Sequence, residues 1–259
     1  MTRQAVQSAD PAVVERKTRY LYWWLLAALF LEYARPASYL PALGILPLNS
    51  VVPLTLFVAC LFVKELRPTS IVYSDRLSRY LMWFVGIISI SVLHASVTHT
   101  AYEVWIMILG YAFLFFMIAK IAINQARIRG VFMILIIAHL FLLVMNPEVV
   151  TDPSARHYVL GATFLGDGND FSLSVCILLP FAVELAASAK SRLKKILWLA
   201  VLILLVLALI GTQSRGAALG MGALVVYFWM ASQRKMLGLF VVLLLGIVIV
   251  AYAPDVFFE

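Results

Sequence analysis

Arg215 stands in the sharpest break between two long apolar runs. Gly211-Thr212-Gln213-Ser214-Arg215-Gly216 separates an uninterrupted apolar stretch over 196–210 from another over 217–230. A guanidinium keeps its proton in a protein, and a charge at membrane depth is costly unless it is paired or wetted. An arginine at a glycine-flanked helix junction therefore points to anion binding, with the Ser214 hydroxyl beside it. Gly166-Asp167-Gly168-Asn169-Asp170 precedes another apolar run, and two readings of it stay open. Either Asn169 or Asp170 caps the following helix by accepting from its free amides, or the carboxylates orient Arg215 or a substrate hydroxyl. A calcium loop does not fit, because the oxygen ligands are out of phase and no bidentate glutamate follows at the right offset. His157 is a weak candidate base, since a lone loop histidine is more simply a solvated one. Its ring has no orienting partner nearby in sequence.

These residues need a scaffold, and composition decides its kind. The chain of 259 residues is 64% hydrophobic and 13% charged, with a mean hydropathy of +0.99. Soluble domains are far less apolar, so the surface is expected to face lipid. The net charge of +7 does not indicate nucleic-acid binding, because the basic residues lie in short groups between apolar runs and form no basic patch. Cys60 and Cys176 sit inside apolar runs and read as small hydrophobes. His94, His99, His139 and His157 form no metal-ligand cluster, so no metal is expected.

A membrane-crossing helix takes about 20 apolar residues. Candidates lie near 20–37, 46–63, 77–97, 101–123, 130–147, 171–189, 193–212, 216–232 and 236–253. The expected fold is all-α, a polytopic transmembrane bundle of about nine helices over 20–259. A polar tail over 1–19 precedes it. The first apolar run has no small-residue cleavage site, which argues against a cleaved signal peptide. The longest connection runs over about 146–170 and is rich in Pro, Gly, Asp and Asn, as an irregular or partly re-entrant segment should be.

Lys and Arg in alternate connections set the orientation. One side collects 17 of the 20 basic residues, and the other holds only Arg35, Arg156 and Arg215. The crowded side is expected to be cytoplasmic, with the amino terminus inside and the carboxyl terminus outside. The three outer arginines then stand where charge bias disfavours them. Glu32, Glu103, Glu148, Asp152, Asp167, Asp170, Asp255 and Glu259 share their face, so chemistry is expected there. Tyr20, Tyr22, Trp23 and Trp24 read as an interfacial belt. His139 should bond to a neighbouring helix, and Gly216-x-x-x-Gly220 should allow close helix packing.

Thr212-Gln213-Ser214-Arg215-Gly216-Ala217 resembles the Ser-Arg-Gly signature of the O-antigen ligase and O-antigen polymerase-like membrane proteins. Gly166-Asp167-Gly168-Asn169-Asp170 resembles that family's Asp-x-Asn segment one helix pair earlier. Glu32-Tyr33-Ala34-Arg35-Pro36 is similar to the Arg-Pro stretch after the first helix in some members. The resemblance covers essentially the whole chain. It implies transfer of a glycan from an undecaprenyl-pyrophosphate carrier to an acceptor glycan, a lipid A–core or a protein hydroxyl. The place would be the periplasmic face of the bacterial inner membrane, and no metal or other cofactor is implied. By resemblance Arg215 would hold the pyrophosphate, with Ser214, Arg35, Asp167 and Asn169 as further substrate-binding residues.

Members of the family usually carry a large outer loop, with a second Arg and a His, after the helices matched here. The chain is therefore expected to be an amino-terminal portion that inserts into the membrane without transferring glycan alone. The rival readings are a transporter using Glu184, His139 and Arg215, and a non-catalytic component of envelope polysaccharide assembly. No internal repeat supports the transporter. The charge asymmetry makes its own prediction: a reporter fused near Ala155 should be periplasmic and one near Ser191 cytoplasmic. Opposite labelling at both sites would overturn the orientation and every outer-face assignment.

Overall fold

The computed structural model describes residues 11–63, 75–152, 157–159 and 165–231. These are helical and contain no strand. In chain order they form α1 (Pro11–Lys17), α2 (Arg19–Ala34), a 3-10 turn (Pro36–Ser38), α3 (Pro41–Gly44), α4 (Leu48–Phe62) and α5 (Arg76–Val92). Then come α6 (Thr98–Ile121), α7 (Gln125–Met145), α8 (Glu148–Thr151), α9 (Gly168–Ala187), α10 (Arg192–Gly211) and α11 (Arg215–Ala231). Helix occupies eight of the nine expected segments, and α6, α7, α9 and α10 are long and apolar enough to cross a membrane. The shorter α4 and α11 are also apolar. The expected helix over 236–253, Arg156 within the 146–170 connection, Asp255 and Glu259 lie outside the described residues.

Two boundaries differ from expectation for identifiable reasons. α2 stops at Ala34 because Pro36 excludes the right-handed helical region for the residue before it, and Arg35 turns left-handed at φ 43°. The helix expected from 171 starts earlier, at Gly168, because Asp167 caps it: the Asp167 carboxylate accepts from the Asn169 amide at 3.2 Å. Neither Asn169 nor Asp170 is the cap. A further helix, α1, forms inside the segment read as a tail.

Large apolar side chains face outward along the helices: Trp83, Phe62 and Leu93 are 73%, 79% and 80% exposed. Water would not tolerate so much apolar surface on a monomer, whereas hydrocarbon requires it. Lipid also leaves backbone groups no outside partner, so each helix must satisfy its own.

The chain divides into two compact units, one of 1–29 with 46–131, the other of 30–45 with 132–259. In the first, α6 packs against α4 and α5. Its organising residue is Arg127, which is 4% exposed. Its guanidinium donates to Thr18 Oγ1 and the Ile121 carbonyl, both at 2.9 Å, and to the Glu15 carbonyl at 2.7 Å. The Tyr22 ring lies 5.3 Å from its centre, within cation–π range. Arg127 thus ties α1 and the start of α2 to the negative, carbonyl end of α6. Tyr22, expected in the interfacial belt, is turned inward onto this arginine, while Tyr20 and Trp23 stay exposed.

In the second unit α9 is central. Half of its spanning stretch is buried, against 22% for α10. It packs on α10 and α11 through Phe171, Val175, Leu179, Ala182, Leu205, Ala208 and Ala217. Because lipid is as apolar as leucine, this packing is held by close van der Waals contact and hydrogen bonds, which favours small residues at the seams. Gly220 supplies one: a Cβ there would stand 3.3 Å from Cys176 Sγ. Gly216, its expected partner, meets only the nearby Ser214 hydroxyl at 3.7 Å. Gly211 supplies another, since a Cβ there would overlap the Val149 carbonyl of α8. His139 is fully buried, with Nδ1 at 2.8 Å from the Leu135 carbonyl and Nε2 at 2.9 Å from Ser174 Oγ on α9. A carbonyl can only accept, so Nδ1 carries the proton and Nε2 accepts from Ser174. The bond to a neighbouring helix is present.

Arg127→Ala should cost about 3 kcal/mol, the scale of losing charge-assisted bonds to buried acceptors. It should also expose α1 to protease, with Arg127→Lys intermediate because an ammonium lacks the planar fork. Thermal unfolding and limited proteolysis in lipid nanodiscs read both effects. Unchanged stability and an uncut α1 in Arg127→Ala would rule out this anchoring role.

Candidate functional site

α10 runs antiparallel to its neighbours α9 and α11, so the latter two begin at the same end of the second unit. The turn between α10 and α11 uses only Thr212, Gln213 and Ser214, and Gln213 takes a left-handed φ of 47° to make it. Arg35 and Gln213 are the described non-glycine residues with positive φ. Such conformations cost about 1–3 kcal/mol and persist where surroundings hold them.

Ser214 does two jobs in this turn. Its hydroxyl accepts from the Ala217 amide at 3.1 Å, capping α11. The same hydroxyl donates to Asn169 Oδ1 at 2.7 Å, across to the start of α9. Asn169 is itself held by Asp167, whose carboxylate accepts from its amide at 3.2 Å and from Nδ2 at 3.4 Å. A hydroxyl proton on one side and a carboxylate on the other leave the Asn169 amide a single satisfactory orientation. The Asp-x-Asn and Ser-Arg segments are one hydrogen-bonded assembly joining two helix N-termini.

Arg215 follows at the first helical position of α11. It is exposed, and it forms no hydrogen bond or ion pair with another described residue. Of the readings left open, the cap is the one seen: among the described residues the Asp167 carboxylate makes no ion pair with Arg215 and holds Asn169 instead, because capping a helix beginning at Gly168 directs it there. The guanidinium is left at the positive ends of two helices, where anions bind readily.

A third segment closes on the same place. The Val159 amide donates to the Gly166 carbonyl at 3.2 Å. A Cβ at Gly168 would lie 3.2 Å from the His157 carbonyl and 3.4 Å from Thr212 Cβ and O. Glycine is needed because backbone from two other segments meets there. The His157 side chain is only 15% exposed. Its Nε2 lies 2.6 Å from the Asp152 carbonyl and 3.5 Å from the Asp152 carboxylate. The expectation that nothing near in sequence orients this ring is therefore wrong. Asp152 lies five residues earlier, but sequence separation alone sets no distance between two side chains, so only the folded chain could reveal the contact.

Arg35 follows the end of α2. It meets Glu32 Oε1 at 3.4 Å, and its Nε is buried with no acceptor among the described residues. Nearby in the chain, the Tyr39 hydroxyl accepts from Asn146 Nδ2 at 2.9 Å. Burial pushes the Tyr39 phenol up, opposed by the Asn146 bond and reinforced by Glu148, so the hydroxyl stays neutral at ordinary pH. No hydrogen bond or ion pair joins Arg35 to Asn169, Ser214 or Arg215 among the described residues. The His94 and His99 rings are exposed and meet the Ile90 carbonyl, one turn back, and Glu103, one turn on. No group of three His, Cys, Asp or Glu among the described residues is placed to hold a metal ion.

If Ser214 and Asn169 act through one bond, Ser214→Ala and Asn169→Ala should each destabilise the protein by about 1–2 kcal/mol. Their double variant should fall short of additivity by about 1 kcal/mol. Unfolding of the four proteins in nanodiscs measures the cycle, and strict additivity would break the proposed link between the two helix ends. Comparison of the chain with family models, with curated proteins and with solved structures returned no match.

Proposed function

We propose that this chain is a lipid-linked glycan transferase of the O-antigen ligase or polymerase type. In this reading it sits in the bacterial inner membrane as about nine spanning helices, amino terminus inside and carboxyl terminus outside. Its substrate is a glycan carried on undecaprenyl pyrophosphate, and its acceptor is the hydroxyl of a glycan, a lipid A–core or a protein.

One observation carries the reading. The Ser214–Asn169 bond unites two of the three motifs on which the family resemblance rests, though they lie 45 residues apart in the chain. The chemistry of that junction suits a diphosphate. Two helix N-termini offer amide hydrogens and positive dipole ends, and Arg215 offers a planar fork that matches phosphate oxygens in pairs. Asp167 is engaged with Asn169, which lessens its competition with an incoming anion for Arg215. As the glycan leaves the carrier, negative charge gathers on the diphosphate, and fixed donors already aimed at it lower that barrier. Arg35 is a second cation for the same substrate, with its own pair to Glu32.

In the full protein Arg215→Lys should lose most glycan transfer and bind a fluorescent undecaprenyl diphosphate at least about tenfold more weakly, because a point charge does not replace the bidentate fork. Expression and membrane insertion should persist. Binding and transfer within twofold of the parent protein would reduce Arg215 to a topology or packing residue.

A further inference from the structure

Proton transfer is the step that the diphosphate site leaves unassigned. An acceptor hydroxyl attacking the anomeric carbon must lose a proton, and an arginine that never deprotonates cannot take it. Among the described residues of the second unit, His157 has the geometry for this. Its Nε2 faces the Asp152 main-chain carbonyl at 2.6 Å. That oxygen can only accept, so Nε2 bears the hydrogen in the neutral ring and Nδ1 keeps its lone pair. The Asp152 carboxylate lies 3.5 Å from the same nitrogen, on the side of the ring away from Nδ1. The ring is mostly enclosed, so one orientation is held. The His157 backbone meets Gly168 and Thr212 at a common point, next to the helix starts that carry Asn169 and Ser214. The other buried histidine, His139, has both nitrogens engaged.

We propose that His157 is the proton acceptor of this site and Asp152 the residue that positions it. The inference rests on the transferase reading above. The acceptor oxygen bonds to the anomeric carbon as the bond from that carbon to the phosphate oxygen breaks. The hydroxyl proton passes to His157 Nδ1, and the lipid diphosphate leaves with the bonding electron pair. The base assigned here is His157 itself, whereas the family resemblance implies a histidine later in the sequence.

The test uses the purified chain in nanodiscs with a lipid-diphosphate-linked oligosaccharide and a soluble sugar acceptor. His157→Gln should transfer about 100-fold more slowly, within the range ascribed to general bases, while Arg215-dependent binding of the lipid diphosphate stays intact. Added imidazole should restore His157→Gly at least tenfold, a recovery no packing role predicts. Asp152→Asn should lower the rate with little change in KM, and Asp152→Glu should recover part of it. In the parent protein, 15N chemical shifts of His157 should show a protonated Nε2 and an unprotonated Nδ1. The opposite tautomer, or transfer by His157→Gln within twofold of the parent, overturns the assignment. A parent chain that binds the diphosphate through Arg215 but transfers nothing overturns the base and leaves the binding reading standing. Loss of both binding and transfer overturns the transferase reading, and His157 with it.

Discussion

The Ser214 hydroxyl has one hydrogen to give, and the arrangement of the second unit depends on where it goes. Donated to Asn169 Oδ1, it joins the start of α11 to the start of α9, while the oxygen's lone pair caps α11 at the Ala217 amide. Each half needs the other. Without the cap, an amide of α11 would lie buried and unpaired. Without the cross-link, only apolar packing would align the two helix ends. Asp167 extends the same logic by capping α9 and bracing Asn169 with one carboxylate. In hydrocarbon, where no water repairs an unpaired polar group, such double duty lets polar residues persist without penalty.

The close approaches in the unit serve this junction. Gly211 lets α10 end against the Val149 carbonyl, and Gly168 admits the His157 carbonyl and Thr212 beside α9. Larger residues at either position would push backbone away from backbone. Gly220 against Cys176 brings α11 onto α9, which keeps the Ser214–Asn169 bond within reach. Small residues, left-handed Gln213 and paired caps therefore act as one device. They hold two helix N-termini together with a cation between them and water.

Arg127 and Arg215 show how little charge alone reveals. Both are single arginines near a helix start, yet their environments are opposite. Arg127 is enclosed by carbonyls, a hydroxyl and an aromatic face, so its donors are spent on holding α1, α2 and α6. Arg215 is exposed without a partner among the described residues, so its donors are available. A buried, satisfied guanidinium is an anchor, and an exposed, unsatisfied one beside helix dipoles is a receptor for anions.

Helix type and approximate extent were legible in the sequence because both depend on local properties. Long apolar runs in a chain this hydrophobic have few alternatives in lipid, and Pro36 and the 211–216 break punctuate them locally. The alternation of basic connections was legible for the same reason. The cap lies two or three residues before the candidates Asn169 and Asp170, because Asp167, Asn169 and Asp170 are all good caps and side-chain reach chose among them. Only tertiary structure decided that Asn169 meets Ser214, that Tyr22 turns onto Arg127 and that Asp152 orients His157. Each of these depends on distances that separation along the chain does not set. Periodicity and composition carry no term for such distances, whereas packed helices fix them.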